Sequence, residues 1–262
     1  MGLKLYAFAN QGNDKTTMSL YDEHTVREHI CQVGRWLWEK NYIAGTDGNI
    51  SARLGDRLLV TPSGLSKGHM RPEQLVWTDL AGRVLPESHN VGLQPSSEIW
   101  MHTMAYRQRP DIGAVVHAHT PIAVALSLAG YAIACDVIPE MVYSLGCVPT
   151  LAYAAPSSQA NADIIEVPIR THDALVLTHH GSLAVGLDLH TAYLATEKIE
   201  HAALLTAQAL QLGQLRPIPP GEAERVWAMR QAKYSERRLC PGGAACPHNT
   251  LYAATAGRYQ AA

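Results

Sequence analysis

Two histidines stand two residues apart at the end of an apolar run. The run is GAVVHAH, residues 113–119, and the histidines are His117 and His119. In a β-strand, side chains at i and i+2 point to the same face, with α-carbons about 6.6 Å apart. Both imidazoles can therefore converge on one ion, and catalytic zinc takes three protein ligands, often nitrogens, with one position left open. The spacing predicts part of a metal site, although a single strand histidine is usually an ordinary polar side chain.

A third ligand is available from one of two adjacent histidines. His179 and His180 end the apolar run DALVLTHH at 173–180. Neighbouring strand residues face opposite sides of a sheet, so only one of the two can join the first pair. Reactive groups often gather in the loops at strand ends. The spacing alone leaves the choice between the two histidines open.

Three short segments rich in glycine and hydroxyl groups could bind an anion. Ser96 and Ser97 precede a predicted helix, whose unpaired N–H groups could hold a phosphate. The alternative is an ordinary helix cap, with Glu98 complementing the helix dipole. The other two segments could cradle a phosphate or simply turn the chain. The three segments are GTDGNIS at 45–51, TPSG at 61–64 and PSSE at 95–98.

The five cysteines are odd in number and mostly scattered, which is typical of reduced thiols rather than of a disulfide framework. Cys240, Cys246 and His248 lie close together in LCPGGAACPH. A second metal site is one possibility there, although the spacing matches no common zinc motif. The alternative is a tail with two spare thiols.

The composition excludes several classes of protein. The 262 residues carry a formal net charge of −2 without a long basic run, so binding to nucleic acid or to an anionic membrane is not expected. No apolar stretch approaches the roughly 20 residues of a membrane span. The N-terminus lacks the apolar core of a signal peptide. We therefore predict a cytoplasmic protein with one large domain over 21–239, an N-terminal extension over 1–20 and a tail over 240–262.

Helices and strands alternate irregularly along the chain. This order is not a clean βαβ repeat, so we predict a single α/β domain with a mixed, mostly antiparallel sheet. Strands are predicted at 57–63, 74–80, 113–119, 148–154 and 173–180. Helices are predicted within 21–42, at 96–109, from residue 121, and at 158–170, 189–210 and 222–238.

Five segments together resemble the class II aldolase/adducin family. They occur in the order GTDGNIS, VTPSGLSKG, PSSEIWMH, VVHAHTPIA and THHGSLAVG, and the likeness covers about residues 21–210. The resemblance implies a three-layer α/β/α fold and a homotetramer with active sites at subunit interfaces. It also implies a zinc-dependent lyase, with Mn²⁺ or Co²⁺ as other possible ions. The expected reaction is cleavage of a ketose 1-phosphate similar to L-fuculose 1-phosphate.

The resemblance also assigns roles to individual residues. His117, His119 and His180 match the zinc ligands, and His180 is chosen because it precedes glycine, as in the NHG motif of the family. Glu98 matches a carboxylate that binds the resting metal and then acts as acid and base. The positions that match the phosphate pocket are Thr46, Asn49, Ser63, Gly64, Ser96 and Ser97.

The tyrosine that donates a proton to the sugar oxygen in this family has no direct counterpart. An ungapped alignment puts Ile138 at its position, and the nearby Tyr143 is our candidate. A second, C-terminal tyrosine of the family could be Tyr234, Tyr252 or Tyr259. These departures leave the identity of the aldehyde open.

Other activities share the zinc site of the family. The strongest alternative is a decarboxylase of a four-carbon 3-oxo sugar-acid phosphate, because it makes the same enediolate by losing carbon dioxide. A methylthioribulose-phosphate dehydratase also keeps the glutamate, whereas a ribulose-phosphate epimerase usually has aspartate in place of Glu98. An aromatic-acid decarboxylase would not need the phosphate-type residues. An adducin-like, non-catalytic module would lack the zinc histidines.

Overall fold

A seven-stranded mixed sheet forms the centre of the computed structural model, which describes residues 23–88, 92–234, 239–240 and 246. The spatial order is β3-β2-β1-β4-β7-β6-β5, and among these strands only β5 and β6 pair in parallel. The prediction of a mixed, mostly antiparallel sheet is confirmed. The strands are β1 Asn49–Leu54, β2 Arg57–Val60, β3 Val76–Asp79, β4 Ala114–Ala118, β5 Thr150–Leu151, β6 Ala174–Leu177 and β7 Gly181–Gly186.

Helices cover both faces of this sheet. One face packs on α2 and α5, and the other packs on α1, α3 and α6. The predicted three-layer α/β/α arrangement is thus confirmed. None of the described helices is long and apolar enough to cross a bilayer. The α-helices are α1 Glu23–Glu39, α2 Ile99–Gln108, α3 Pro121–Leu128, α4 Pro139–Ser144, α5 Gln159–Asp163, α6 Leu189–Gln211 and α7 Pro220–Lys233.

The alternation of side chains along β4 decides where its polar groups go. Ala114 and Val116 pack in the core with α1, whereas Val115 packs in the core with α2. His117 is two residues from Val115 and therefore faces the α2 side of the sheet. His119, directly after the strand, continues on that side. The sheet thus delivers both imidazoles to the end of β4, on the face covered by α2.

Several predicted elements are shorter than expected. The strand predicted at 173–180 ends at Leu177, and the strand predicted at 148–154 contains only Thr150–Leu151. The helix predicted at 158–170 is α5 followed by a 3₁₀ turn at Pro168–Arg170, because proline lacks the N–H that a continuous helix needs. Gly213 ends α6 with a φ of 101°, as predicted. Residues 1–20 and most of the tail lie outside the described residues.

Candidate metal centre

Four side chains from three parts of the chain meet at one end of the sheet. His117 and His119 come from the end of β4, Glu98 is the N-cap of α2, and His180 lies in the turn between β6 and β7. Each offers one ligand atom, and these atoms lie within 4.8 Å of one another. We call this group the His₃Glu cluster. The structure therefore brings together the four residues that the sequence predicted as metal ligands.

Glu98 lies at the centre of the His₃Glu cluster. Its Oε2 is 3.2 Å from Nε2 of His117, and its Oε1 is 3.0 Å from Nε2 of His180. The ring of His119 is 5.1 Å from that of His117 and 5.0 Å from that of His180, measured between centroids. Imidazole nitrogens and carboxylate oxygens are both zinc ligands, and three imidazoles occur together in catalytic zinc sites.

Hydrogen bonds outside the cluster determine which nitrogens face it. Nδ1 of His117 is 2.9 Å from the carbonyl oxygen of Ser182, which can only accept, so Nδ1 carries the proton. Nδ1 of His119 is 3.3 Å from Oδ2 of Asp47, so a carboxylate lies on the side of the ring away from the cluster. Both Nε2 atoms are buried without a hydrogen-bond partner, and so is Oε1 of Glu98. Convergent lone pairs without a donor fit a metal cation.

The protonation of the cluster also suits a metal. Burial and the neighbouring rings of His117 and His180 lower the pKa of His119 to about 4, so this imidazole is neutral near pH 7. Burial by itself would raise the pKa of Glu98, but His117 and His180 outweigh it and lower the pKa. His119 is therefore neutral and Glu98 is ionised, the forms in which these two groups bind metal ions.

The turn between β6 and β7 distinguishes the two adjacent histidines. His179 is exposed and has a φ of 61°, a left-handed conformation that turns the chain sharply. His180 is buried and points into the His₃Glu cluster. The two side chains diverge because of this turn and not because of strand alternation, since the strand has already ended at Leu177.

A buried chain of hydrogen bonds leads away from Glu98. Asn49 donates from Nδ2 to Oε2 of Glu98 at 2.8 Å, and its Oδ1 lies 2.6 Å from Nε2 of His102. Oγ of Ser51 is 2.7 Å from Nδ1 of His102 and 2.9 Å from the hydroxyl of Tyr106. The sequence analysis did not single out Ser51, His102 or Tyr106. The available signal was the helical i+4 spacing between Glu98 and His102.

The residues predicted for a phosphate pocket lie on adjoining turns. The N–H of Ser63 donates to the carbonyl of Gln94 at 2.9 Å, and the N–H of Ser96 donates to the carbonyl of Thr61 at 3.1 Å. Ser63 and Ser97 are exposed there, as are Gly64 and Thr46. The side chain of Asn49 is instead buried and bonded to Glu98 and His102, which suits a role in positioning Glu98.

A buried lysine beside these turns was also missed. Lys67 is 3% exposed, and its Nζ donates to the carbonyl of Thr46. Burial lowers its pKa to about 8, although Asp47 and Glu98 oppose that shift. The segment VTPSGLSKG contained this lysine, but the surrounding polar residues gave no sign that it would be buried.

Tyr143 lies on α4, where it packs against α7 instead of joining the His₃Glu cluster. The Nζ of Lys233 is 5.0 Å from the centre of its ring, and its carbonyl accepts from Nη1 of Arg230 at 3.0 Å. Tyr143 and Tyr234 line one cavity of about 240 Å³. Its predicted role as a proton donor stays a prediction. Two other candidates, at 252 and 259, lie outside the described residues.

Comparisons with known proteins agree with this geometry. The profile of the family described as "Class II Aldolase and Adducin N-terminal domain" matches residues 28–207. An L-fuculose phosphate aldolase of Methanocaldococcus jannaschii is 31% identical over 69% of this chain and 94% of its own. A 3-oxo-tetronate 4-phosphate decarboxylase of Haemophilus influenzae is 34% identical over 68% of this chain and 85% of its own. A solved L-fuculose 1-phosphate aldolase is 28% identical, with a TM-score of 0.70 over 78% of this chain and 95% of its own.

Proposed function

The chain belongs to the class II aldolase and adducin family, and we propose that it is a zinc-dependent aldehyde-lyase of the cytoplasm. The proposed reaction is the reversible cleavage of an L-fuculose 1-phosphate-like ketose to dihydroxyacetone phosphate and an aldehyde. The observation that carries the proposal is the buried His₃Glu cluster with its unpartnered nitrogens. A non-catalytic adducin-like module would have no use for this arrangement.

The metal ligands in this proposal are His117, His119 and His180, with Glu98 as a fourth ligand in the resting state. Zinc fits because nitrogen ligands predominate, and Mn²⁺ or Co²⁺ could replace it. When bound, the ion supplies Lewis-acid stabilisation of the negative charge that develops on the substrate oxygens. The protein supplies the imidazoles, and the hydrogen bond from Nδ1 of His117 to the carbonyl oxygen of Ser182 orients the first of them.

Glu98 is the proposed acid and base. In the synthetic direction its carboxylate takes a proton from the carbon beside the carbonyl of dihydroxyacetone phosphate. In the cleavage direction the C3–C4 bond breaks and the same proton returns to C3. Asn49 donates to Oε2, so Oε1 is the oxygen that is available to carry the proton. Tyr143 is the proposed donor to the sugar oxygen.

The phosphate group is proposed to bind at the turns of 46–49, 63–64 and 96–97. These turns offer the exposed hydroxyls of Thr46, Ser63 and Ser97, and backbone hydrogen bonds between 61–63 and 94–96 hold two of the turns together. Phosphate binding would supply binding energy remote from the reacting carbons. Equal kcat/KM on phosphorylated and unphosphorylated forms of one ketose would contradict this part of the proposal.

A decarboxylase of a 3-oxo sugar-acid phosphate is the second candidate. The likeness to the decarboxylase of Haemophilus influenzae is as strong as the likeness to the aldolases. Both reactions leave an enediolate, so the same cluster could serve either one. The two differ in the group that leaves, which is an aldehyde in one reaction and carbon dioxide in the other.

One assay separates the two candidates. The purified enzyme is incubated with a panel of ketose 1-phosphates and 3-oxo sugar-acid phosphates, and both dihydroxyacetone phosphate and carbon dioxide are measured. We expect dihydroxyacetone phosphate from at least one ketose 1-phosphate. Carbon dioxide from a sugar-acid phosphate, with no cleavage of any ketose, would replace the aldolase proposal with the decarboxylase. The Glu98→Gln variant is the matched control for contaminating activity.

A further inference from the structure

Cysteines from distant parts of the chain meet in a second buried group. Their exposed fractions range from 1% to 6%, and none of them belongs to the His₃Glu cluster. Sγ of Cys135 is 3.5 Å from Sγ of Cys147, and the thiol of Cys246 contacts those of Cys147 and Cys240. We call this group the thiol cluster, and its members are Cys135, Cys147, Cys240 and Cys246.

A buried histidine points its unprotonated nitrogen at the thiol cluster. Nδ1 of His172 is 2.8 Å from the carbonyl oxygen of Pro168, and a carbonyl can only accept. The proton is therefore on Nδ1, and Nε2 carries a lone pair. That Nε2 lies 3.3 Å from Sγ of Cys246, and His172 is 1% exposed. A carbonyl that fixes the tautomer in this way is typical of metal-binding histidines.

We propose that Cys147, His172, Cys240 and Cys246 bind a second, structural zinc ion. The ligand atoms of Cys147, His172 and Cys246 lie within 4.8 Å of one another. Three thiolates and one imidazole form a standard closed zinc site, and soft thiolates favour zinc over the harder divalent ions. Sequence analysis had grouped the two C-terminal cysteines with His248, which lies outside the described residues. The fold supplies His172 and Cys147 in its place.

Cys135 is not a ligand in this proposal, although it touches the group. Its Sγ lies 3.4 Å from the carbonyl oxygen of Ile133, which requires an S–H donor. A thiolate would face that carbonyl without a proton between the two atoms. The sulfur also accepts from the N–H of Val148 at 3.4 Å. Cys135 is therefore a neutral neighbour of the site and provides a matched control.

The site would fasten the chain beyond α7 to the sheet edge. The N–H of Cys240 donates to the carbonyl of Thr171 at 3.3 Å, and Leu239 is buried. Next to His172, Asp173 accepts from Nη2 of Arg230 on α7 at 3.3 Å. Closing so long a stretch of chain with a metal removes conformational freedom from the unfolded state. The ion would thus contribute directly to the free energy of unfolding.

The test measures zinc in protein whose first site has been removed. In the His117→Ala/His119→Ala double variant, we expect one zinc per chain by plasma mass spectrometry, with X-ray absorption showing Zn–S scattering at about 2.3 Å. Adding Cys147→Ser, His172→Asn or Cys246→Ser should remove it, and Cys240→Ser should remove or greatly weaken it. Adding Cys135→Ala or Cys31→Ala should not. Retention of this zinc does not depend on the aldolase proposal.

A second measurement uses the wild-type protein, so its result does not depend on whether the variants fold. Wild-type protein loaded with Co²⁺ should show thiolate-to-cobalt charge-transfer absorption, which three imidazoles and a carboxylate cannot produce. The proposal is overturned by any of three results: zinc with no sulfur in its shell, iron with acid-labile sulfide, or a disulfide within the thiol cluster of freshly purified protein. Equal zinc content in the ligand variants and in the Cys135→Ala control would also overturn it.

Discussion

The two carboxylate oxygens of Glu98 have different surroundings. Oε2 accepts from Nδ2 of Asn49 at 2.8 Å, whereas the buried Oε1 faces only the His₃Glu cluster, 3.0 Å from Nε2 of His180. A side chain that only capped α2 would bond to the first N–H groups of the helix, but no such bond is formed by Glu98. Its position at the N-cap therefore serves to aim the carboxylate at the three histidines.

Glu98→Gln should separate chemistry from structure. Glutamine is nearly isosteric, and its carbonyl oxygen can still accept from Asn49, but it cannot accept the substrate proton. General-base loss typically costs about 10²–10⁴ in rate, so we expect kcat to fall at least a hundredfold. Circular dichroism and metal analysis should be unchanged. A near-normal kcat would show that another residue is the base, and Tyr143 is the next residue to test.

Each histidine of the His₃Glu cluster should be needed for metal. His117→Ala, His119→Ala and His180→Ala each remove one nitrogen from a site of few ligands, so we expect loss of the active-site zinc in all three. His179→Ala is the matched control, because its side chain is exposed beside the buried His180. The measurement is zinc per chain after dialysis against a weak chelator. Full occupancy in any of the three variants would remove that residue from the ligand set.

His102 should make the protein sensitive to acid. Burial, together with the nearby His117, lowers its pKa from 6.5 to about 3. An unfolded chain takes up a proton below about pH 6.5, whereas the folded imidazole stays neutral, so protons favour the unfolded state. The free energy of unfolding should therefore fall by up to about 1.4 kcal/mol per pH unit between pH 6.5 and pH 3.

His102→Gln tests this origin of the acid sensitivity. Glutamine does not titrate, yet it can donate to Asn49 and accept from Ser51, the two bonds that His102 makes. Urea unfolding at several pH values should give a flatter pH dependence for the variant over pH 6.5 to 3. Equal slopes of unfolding free energy against pH in the wild type and the variant would show that other groups cause the acid sensitivity. Tyr106→Phe, one step further along the network, should leave the slope unchanged.

At the scale of elements, the geometry of the site depends on the close approach of β4, β7 and the start of α2. Gly181 begins β7 directly beside the end of β4. A β-carbon at this position would lie 2.5 Å from the carbonyl oxygen of Ala118 and 3.0 Å from Cε1 of His117. The glycine after His180 is therefore required by packing, since its φ is not in the left-handed region. Strand and imidazole can meet only because the side chain is absent.

Gly181→Ala should weaken metal binding without removing any ligand. The added methyl group must push back either β4 or the ring of His117, and overpacking of this kind typically costs about 1–3 kcal/mol in stability. Loss of the contacts that hold a metal ligand in place typically lowers metal affinity by about 10–100-fold. Gly221→Ala is the matched control, because nothing lies within 4 Å of its β-carbon position. Competition with a fluorescent chelator measures the affinity, and equal values for the two variants would contradict the argument.

The sequence predicted which side chains meet in the His₃Glu cluster better than it predicted the elements that carry them. His117 and His119 were found because a two-residue period is a local property of a strand. β7 was missed because GSLAVG has glycine at both ends and little β-branched content, and its order comes from pairing with β4 and β6. Lys67 and His172 were missed for a related reason. Their burial depends on contacts with distant segments, which no local pattern reports.

At the scale of the whole molecule, two large aromatic side chains are exposed, one close to Glu98 in sequence and one beside the ring of His179. Trp100, on α2 two residues after Glu98, is 50% exposed, and Tyr153, whose ring centroid is 6.1 Å from that of His179, is 61% exposed. Aromatic residues are enriched at interfaces between subunits. The resemblance to the class II aldolase family implies a homotetramer in which neighbouring subunits complete each active site, and these two side chains are candidates for its contacts.

We therefore predict that the protein sediments as four chains of 28.5 kDa, a mass of about 114 kDa.

Burial of Trp100 at a contact between subunits would make Trp100→Glu dissociate the assembly, because a buried, unpaired carboxylate is strongly unfavourable. Leu212→Glu is the matched control, since Leu212 is 88% exposed at the C-terminal end of α6 and does not line the cavity that contains Tyr143. Analytical ultracentrifugation and kcat are measured on the same samples. Because the active site is expected to need a neighbouring subunit, mass and activity should fall together in Trp100→Glu and stay normal in Leu212→Glu. A fully active wild-type monomer would show that one chain holds the whole site, whereas a Trp100→Glu tetramer would place the contact elsewhere on the surface.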